Sequence, residues 1–371
     1  MMAIKTESAP IAAQALDLHS PKWIFLQLIE SCNLRCKMCF EWGDNGSYKE
    51  KPELRKLDIG VVKQIIEDCK ETRPYYELYG GEPLLYPWID EVLELIHRAG
   101  SKVHFPTNGT LLERHAEMIM AFPPERIWVS LDGPEEINDA QRGAGVFRKA
   151  MKGIRKLYEL REARGSEYPK IGISTTVTPT NYRHLERFYF ESVDLTMLDC
   201  ISVELQQYVT RERYDHYAGV LREHFDIAAA PIARGFIADP AQFAEVDAAE
   251  LCRQLKRIER HCAEHGMYFN AYPKVISEEN IRHYFNAEWS KVTNMKKRCV
   301  FPWISTEVSA RGEVTSCHNF YDLSLGNVNE LSLKEIWNGT KYKQYRDYLR
   351  KQLFSICPGC CLYYNEKPRI T

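Results

Sequence analysis

Three cysteines stand in a C-x3-C-x2-C run, Cys32-Asn33-Leu34-Arg35-Cys36-Lys37-Met38-Cys39. Cysteine thiolates are ordinary iron–sulfur ligands. Three of them can hold three irons of a four-iron cubane, leaving the fourth iron an open coordination position. The same spacing would also place three small apolar residues along one helix face. Arg35 and Lys37 interrupt that face, and the apolar, aromatic residues 23–29 ahead of it read as a strand that opens into a loop.

A second group of cysteines lies in residues 299–371. Cys299 and Cys317 flank a strand–turn–strand pattern whose turn falls near Ala310-Arg311-Gly312. Cys357-Pro358-Gly359-Cys360-Cys361 follows as a knuckle. Cys299, Cys317, Cys357 and Cys360 make a four-ligand set, and Cys361 could replace Cys360. Zinc would suit four cysteines as well as an iron–sulfur cluster does.

The elements that position these residues follow from the pattern of the chain. Its 371 residues are 44% hydrophobic and 27% charged, with a net charge of −2. That is the composition of a globular protein holding more than one domain. It gives no sign of a nucleic-acid or anionic-membrane partner, and no apolar run is long enough to span a bilayer. The N-terminus does not read as a signal peptide, so a cytoplasmic location is expected. There the 12 cysteines point to metal or clusters rather than disulfides.

Short apolar runs at 23–30, 75–79, 102–106, 126–131, 170–177 and 200–208 alternate with amphipathic runs at 57–70, 87–99, 110–122, 145–163 and 180–193. The alternation predicts an α/β fold with a parallel sheet. Six such units would make a partial (β/α)6 barrel rather than a full barrel of eight. The expected organisation is an N-terminal arm (1–21), a barrel core (22–210), a charged helical bridging segment (211–298) and a small C-terminal domain (299–371). Within the bridging segment, His261 and His265 are i, i+4 neighbours without a third ligand in view.

Ligands of parallel α/β folds gather at the carboxyl ends of the strands. Chemically capable residues fall there. Gly80-Gly81-Glu82-Pro83 follows the second strand. Its glycines let a backbone approach a ligand closely, and Glu82 could accept hydrogen bonds from an ammonium group. Thr107-Asn108-Gly109 follows the third. Ser130 and Asp132 stand two apart at the end of the fourth, and so on one face. Arg142 is a candidate partner for a carboxylate. Glu204 and Gln206 share a face of the sixth strand; polar groups inside a barrel must be paired or functional, which makes them substrate candidates.

The cysteine run and the GGEP tetrapeptide together resemble the radical S-adenosylmethionine (radical SAM) superfamily. The resemblance implies a partial TIM-like barrel, a 4Fe–4S cluster on Cys32, Cys36 and Cys39, and SAM bound through the open iron. The reduced cluster then cleaves SAM to methionine and a 5′-deoxyadenosyl radical that abstracts hydrogen. It also implies that Gly80, Gly81, Glu82 and Pro83 contact the methionine amine. Ser130 and Asp132 would serve the SAM carboxylate and ribose, with Asn108 and Arg142 beside the cofactor. A flavodoxin or ferredoxin type electron donor is implied as partner.

The arrangement C-x12-G-x4-C, Gly326-Asn327-Val328, Glu335-Ile336-Trp337 and C-x2-C resembles the SPASM/twitch extension of that superfamily, which holds auxiliary 4Fe–4S clusters. Longer versions add cysteines after the knuckle. None follows Cys361 here, so one auxiliary cluster is expected, as in the twitch form of aminocyclitol dehydrogenases.

An auxiliary cluster ligated only by protein most simply accepts or relays an electron. The expected function is therefore oxidation of a small hydroxylated metabolite, of sugar or aminocyclitol type. The stretch before Trp23 is short for a leader-recognition domain, which weighs against a maturase of a ribosomal peptide or protein without removing it. The same cysteines would also serve a sugar epimerase, or a non-catalytic iron–sulfur or zinc module. Epimerases quench the substrate radical with a hydrogen atom, often from a thiol. None of the spare cysteines, Cys69, Cys200, Cys252, Cys262 and Cys361, is marked as reactive by its surroundings, so oxidation is expected over epimerisation.

Overall fold

Seven strands run parallel in chain order: β1 (Trp23–Ile29), β2 (Tyr75–Gly80), β3 (Val103–Thr107), β4 (Arg126–Ser130), β5 (Lys170–Val177), β6 (Cys200–Leu205) and β7 (Tyr268–Tyr272). The computed structural model describes residues 19–49, 51–293, 298–360 and 363. Most of the expected N-terminal arm and Cys361 lie outside them.

On the other side of β1, β8 (Ser305–Val308) pairs parallel to it. Next come β9 (Glu313–Thr315) and β10 (Gly326–Asn327), both antiparallel to their neighbours. The sheet order is β10-β9-β8-β1-β2-β3-β4-β5-β6-β7. Alternation sets the two faces of this sheet. Ile24, Leu26, Leu28, Tyr76, Leu78, Phe105, Ile127, Val129, Ile171 and Ile173 are buried in the core on one side. The alternating set, which includes Phe25, Glu77, Tyr79, Trp128 and Ser174, lines a single cavity on the other. One cavity fed by β1 through β7 requires a strongly curved sheet, which is the partial barrel.

The segment 211–298 is not only helical. Helices Arg211–Phe225, Ala248–Glu264 and Glu278–Phe285 are present, but β7 lies between the last two and adds a seventh parallel strand. Its signal is Tyr-Phe-Asn-Ala-Tyr, three aromatic residues in five, after the preceding helix ends near Gly266 at φ 66°. The helix expected at 180–193 is instead a chain of short pieces, with a π-helical turn at Phe188–Ser192. An additional helix, Glu135–Arg142, follows β4.

Candidate functional site

The loop after β1 carries Cys32, Cys36 and Cys39 to the rim of a cavity of about 1160 Å³, where all three are partly buried. Burial pushes the Cys32 thiol up to about 11 and the Cys39 thiol up to about 12. Burial also raises Cys36, against the nearby Arg142 guanidinium. Thiols so placed become thiolates when a metal takes the proton's place. Backbone N–H groups are already aimed at two sulfurs: Leu34 N donates to Cys32 Sγ at 3.4 Å and Trp42 N to Cys39 Sγ at 3.3 Å.

Among the described residues no three His, Cys, Asp or Glu side chains are grouped for a single metal ion. The three thiols nevertheless interact electrostatically through Cys36. That spacing, with sulfur-only donors, fits a multinuclear iron–sulfur cluster rather than one ion.

Gly80 and Gly81 are small because two backbones cross there. A Cβ on Gly80 would stand 2.2 Å from Ile29 O, and one on Gly81 2.2 Å from Ser31 O. The expected close approach to a ligand is thus first a close approach to the start of the cysteine loop, fastened by Gly81 N to Ile29 O at 2.8 Å and Glu82 N to Ser31 O at 3.0 Å.

Glu82 is also spent on the fold. Its carboxylate accepts from Thr107 Oγ1 at 2.7 Å, Asn108 N at 2.8 Å and Leu84 N at 3.1 Å, so it does not present a free carboxylate to an ammonium group. Gly80, Gly81, Glu82 and Pro83 all still line the cavity. Asn108, held in this way, points Nδ2 at Asn33 Oδ1 (2.9 Å) and toward Cys32 Sγ (4.0 Å).

Ser130 and Asp132 do not act as a pair. β4 ends at Ser130, so the two-residue alternation stops there. Ser130 lines the cavity, whereas Asp132 is fully buried behind it. Asp132 accepts two hydrogen bonds from Arg142, Nε–Oδ2 at 2.7 Å and Nη2–Oδ1 at 3.0 Å, with others from Gln141 Nε2 and Thr176 N. Arg142 does line the cavity, beside Cys36. Burial works against its charge, but Asp132 and Cys36 outweigh burial and hold the guanidinium protonated. Asp132 therefore orients Arg142, and Arg142 is the group that faces the cavity.

Glu204 and Gln206 both line the cavity, at the carboxyl end of β6, which stops at Leu205. Burial raises the Glu204 carboxyl above its ordinary value; Gln207 Nε2 donates to it at 3.4 Å.

The structure brings Cys299, Cys317, Cys357 and Cys360 around a second, small cavity of about 50 Å³, walled by Tyr217, Phe320, Tyr345 and Phe354. Burial raises the Cys317 and Cys357 thiols, and their neighbours Cys299 and Cys360 raise them further by mutual repulsion. Four such sulfurs in an apolar shell fit a fully ligated cluster, and the donor set alone does not distinguish this from zinc.

His318 lines both cavities. Its ring stacks on Phe25 with centroids 4.4 Å apart. Its Nδ1 lies 2.9 Å from Glu307 Oε2, and Tyr79 OH donates to the other oxygen of Glu307. Burial opposes charging of the ring, but Glu307 and Glu77 push its pKa up to about 9.

Sequence reasoning missed His318, Glu77, Glu307, His104, Arg126 and Trp128. The signal was available for Glu77, Arg126 and Trp128 as polar or aromatic residues at alternate positions, in Tyr75-Glu77-Tyr79 and Arg126-Trp128-Ser130. The spare cysteines and the histidine pair stay apart from the site. Cys69, Cys200, Cys252 and Cys262 are buried and line neither cavity. The rings of His261 and His265 stack at 4.1 Å.

Residues 26–189 match the radical SAM superfamily, and residues 299–361 match an iron–sulfur cluster-binding domain, SPASM. The chain is 24% identical over 365 residues to a tungsten-containing aldehyde ferredoxin oxidoreductase cofactor-modifying protein of Pyrococcus furiosus, covering 92% of this chain and 87% of that one. It is 26% identical over 356 residues to an AdoMet-dependent heme synthase of Methanosarcina barkeri, covering 93% and 89%. To the mycofactocin maturase MftC of Mycobacterium tuberculosis it is 28% identical over 174 residues, 46% of this chain and 41% of that one. Among solved structures, SuiB of Streptococcus suis bound to S-adenosylmethionine shares the fold, with a TM-score of 0.62, 17% identity, and coverage of 89% and 68%. No helix among the described residues is long and apolar enough to cross a membrane.

Proposed function

We propose that this chain, which belongs to the radical SAM superfamily and carries a C-terminal SPASM domain, oxidatively modifies a peptide-type substrate held in the barrel cavity. SAM and its 4Fe–4S cluster, when bound, supply the hydrogen-abstracting chemistry, and the SPASM domain supplies an auxiliary cluster. The observation that carries the substrate reading is the cavity itself. At about 1160 Å³ it exceeds the roughly 300–1,000 Å³ usual for ligand sites, and so has room for a substrate besides SAM. Its inner wall is aromatic, with Trp23, Phe25, Trp128, Tyr208, Tyr268 and Tyr272, and suits a chain with side chains better than a single sugar. A relative named as a maturase, matched over 46% of this chain and 41% of its own length, agrees with a modifying role. The cofactor-modifying protein and the heme synthase, matched along most of their length, favour a second reading, in which the substrate is a preformed cofactor.

In either reading the chain's own residues have defined tasks. Cys32, Cys36 and Cys39 hold the first cluster, and no fourth cysteine among the described residues lines that cavity. A four-iron cluster held there would keep one iron without a thiolate from the described residues. Asn108 and the Asp132-held Arg142 flank the cysteine loop and are the polar groups placed to orient SAM. Glu204, its carboxyl raised by burial, is placed to take a proton at one of its oxygens from a substrate group in the barrel. Cys299, Cys317, Cys357 and Cys360 ligate the auxiliary cluster, with Cys361 outside the described residues. Among the described cysteines none but the three of the first loop lines the large cavity, so none of the other described thiols stands ready to return a hydrogen atom. That favours oxidation over epimerisation.

The test is anaerobic turnover with SAM and reductant on a panel of short synthetic peptides, compared with free sugars and aminocyclitols. Loss of two hydrogens from a peptide by mass spectrometry supports the proposal. Turnover of a sugar alone, or a product carrying one solvent deuterium at an inverted carbon, would overturn it.

A further inference from the structure

The large cavity does not end at the carboxyl edge of the sheet. Trp23, Tyr75, Arg126, Lys170 and Tyr268, which line it too, stand at the starts of β1, β2, β4, β5 and β7. The hollow thus runs the length of the strands. From Arg126 to Ser130 at the other end of β4 is about 13 Å, at about 3.3 Å per residue.

Three polar atoms at this floor are buried without a hydrogen-bond partner: Trp23 Nε1, His104 Nδ1 and Arg126 Nε. The sheet register places His104 opposite Arg126, and the rings of Trp23 and His104 lie 6.4 Å apart. Buried polar groups are seldom left unpaired, and three gathered in one cavity mark a place for a ligand. His104 has its other nitrogen committed to Glu77, 3.1 Å away.

The Arg126 guanidinium sits over the rings of Trp128 and Tyr268, 5.2 Å from each centroid. Among the described residues no carboxylate forms an ion pair with it. Glu125 is near enough to feel its charge, but that carboxylate is held by Lys102 at 2.8 Å and by Tyr75. Lys170, its register partner, is placed instead toward Glu167 and Asp199. A cation inside a cavity with no carboxylate in ion-pair contact among the described residues leaves room for an anion from outside. A guanidinium fork between two aromatic walls suits a flat carboxylate.

We propose that the floor of the barrel binds a carboxylate of the substrate, with Arg126 as its main ligand and Trp23 Nε1 as a second donor. This inference deepens the substrate reading above and rests on it. The bound molecule would reach from the cysteine loop to the strand starts, so Arg126 sets which atom of the substrate lies at the reacting end.

The test is calorimetric titration of the full-length, cluster-loaded protein with benzoate, with its neutral isostere benzamide, and with inorganic phosphate. Saturable benzoate binding is expected, with benzamide weaker by about tenfold or more and phosphate weaker than benzoate. Arg126→Gln should weaken benzoate by a similar factor, and Arg126→Lys by less. The benzamide arm needs no variant, so a misfolded Arg126 variant leaves the test intact. No saturable benzoate binding to the wild type, equal affinity for benzamide, tighter binding of phosphate, or wild-type affinity in a folded Arg126→Gln would each overturn the proposal. Iron content and SAM cleavage on the same wild-type samples report separately on the radical SAM reading.

Discussion

Glu30 and Arg311 form a two-pronged ion pair, Oε1 to Nε at 2.9 Å and Oε2 to Nη2 at 3.1 Å. Glu30 lies just ahead of the Cys32 loop, and Arg311 occupies the hairpin turn ahead of Cys317. One buried carboxylate, also held by Lys51 Nζ at 2.7 Å and Arg55 N at 2.8 Å, therefore ties the loops of both cysteine groups together. Gln27 reinforces the junction by accepting from Ala310 N at 3.1 Å.

Breaking that pair should be felt. The Glu30 side chain is 2% exposed but that of Arg311 is 38% exposed, so solvent screens part of the interaction. Glu30→Gln is expected to cost about 2 kcal/mol, lowering the thermal midpoint of the cluster-loaded protein by a few degrees. An unchanged midpoint would show that the junction is held by packing alone.

The alternation of the barrel and the two cysteine groups were legible because they depend on local spacing. The run at 32–39 and the knuckle at 357–360 carry their chemistry within a few residues of chain. Asp132 was misplaced because the strand stops at Ser130, and strand ends are set by tertiary packing rather than by composition. Glu82 was legible as important but not as a fastener, since Thr107 and Asn108 arrive beside it only through the parallel pairing of β2 with β3. β7 was hidden because its five residues sit between two charged helices. The Arg126 floor needed the cavity itself: an unpaired arginine cannot be told from a surface one until its neighbours are known.

Asp322 caps a short helix by accepting from Ile232 N at 2.7 Å and Ala233 N at 2.9 Å. Burial outweighs these hydrogen bonds and raises its carboxyl from 3.8 to about 6. The folded state therefore holds this proton more tightly than the unfolded state does. Its contribution to stability is full below about pH 4, falls as the pH rises toward 6, and is constant above that. The change is at most about 3 kcal/mol. Asp322→Asn should flatten the fall in thermal midpoint between about pH 4 and 6. A variant that follows the wild-type profile throughout would assign the pH dependence to other groups.

Removing one auxiliary ligand separates the two clusters. Cys357→Ala should disturb the auxiliary iron and leave the first cluster in place, so 5′-deoxyadenosine still forms while modified product falls by about tenfold or more. Normal product yield with the auxiliary iron gone would make that cluster structural rather than an electron acceptor.

The most direct measurement is made on the protein in which Cys32, Cys36 and Cys39 are all changed to Ala. Iron per chain and 5′-deoxyadenosine formed from SAM under reducing, anaerobic conditions are measured beside the wild type. Loss of the three thiolates should remove about four irons per chain, leave the auxiliary iron in place, and abolish 5′-deoxyadenosine formation. Continued SAM cleavage by the triple variant would contradict the assignment of this loop as the catalytic cluster site.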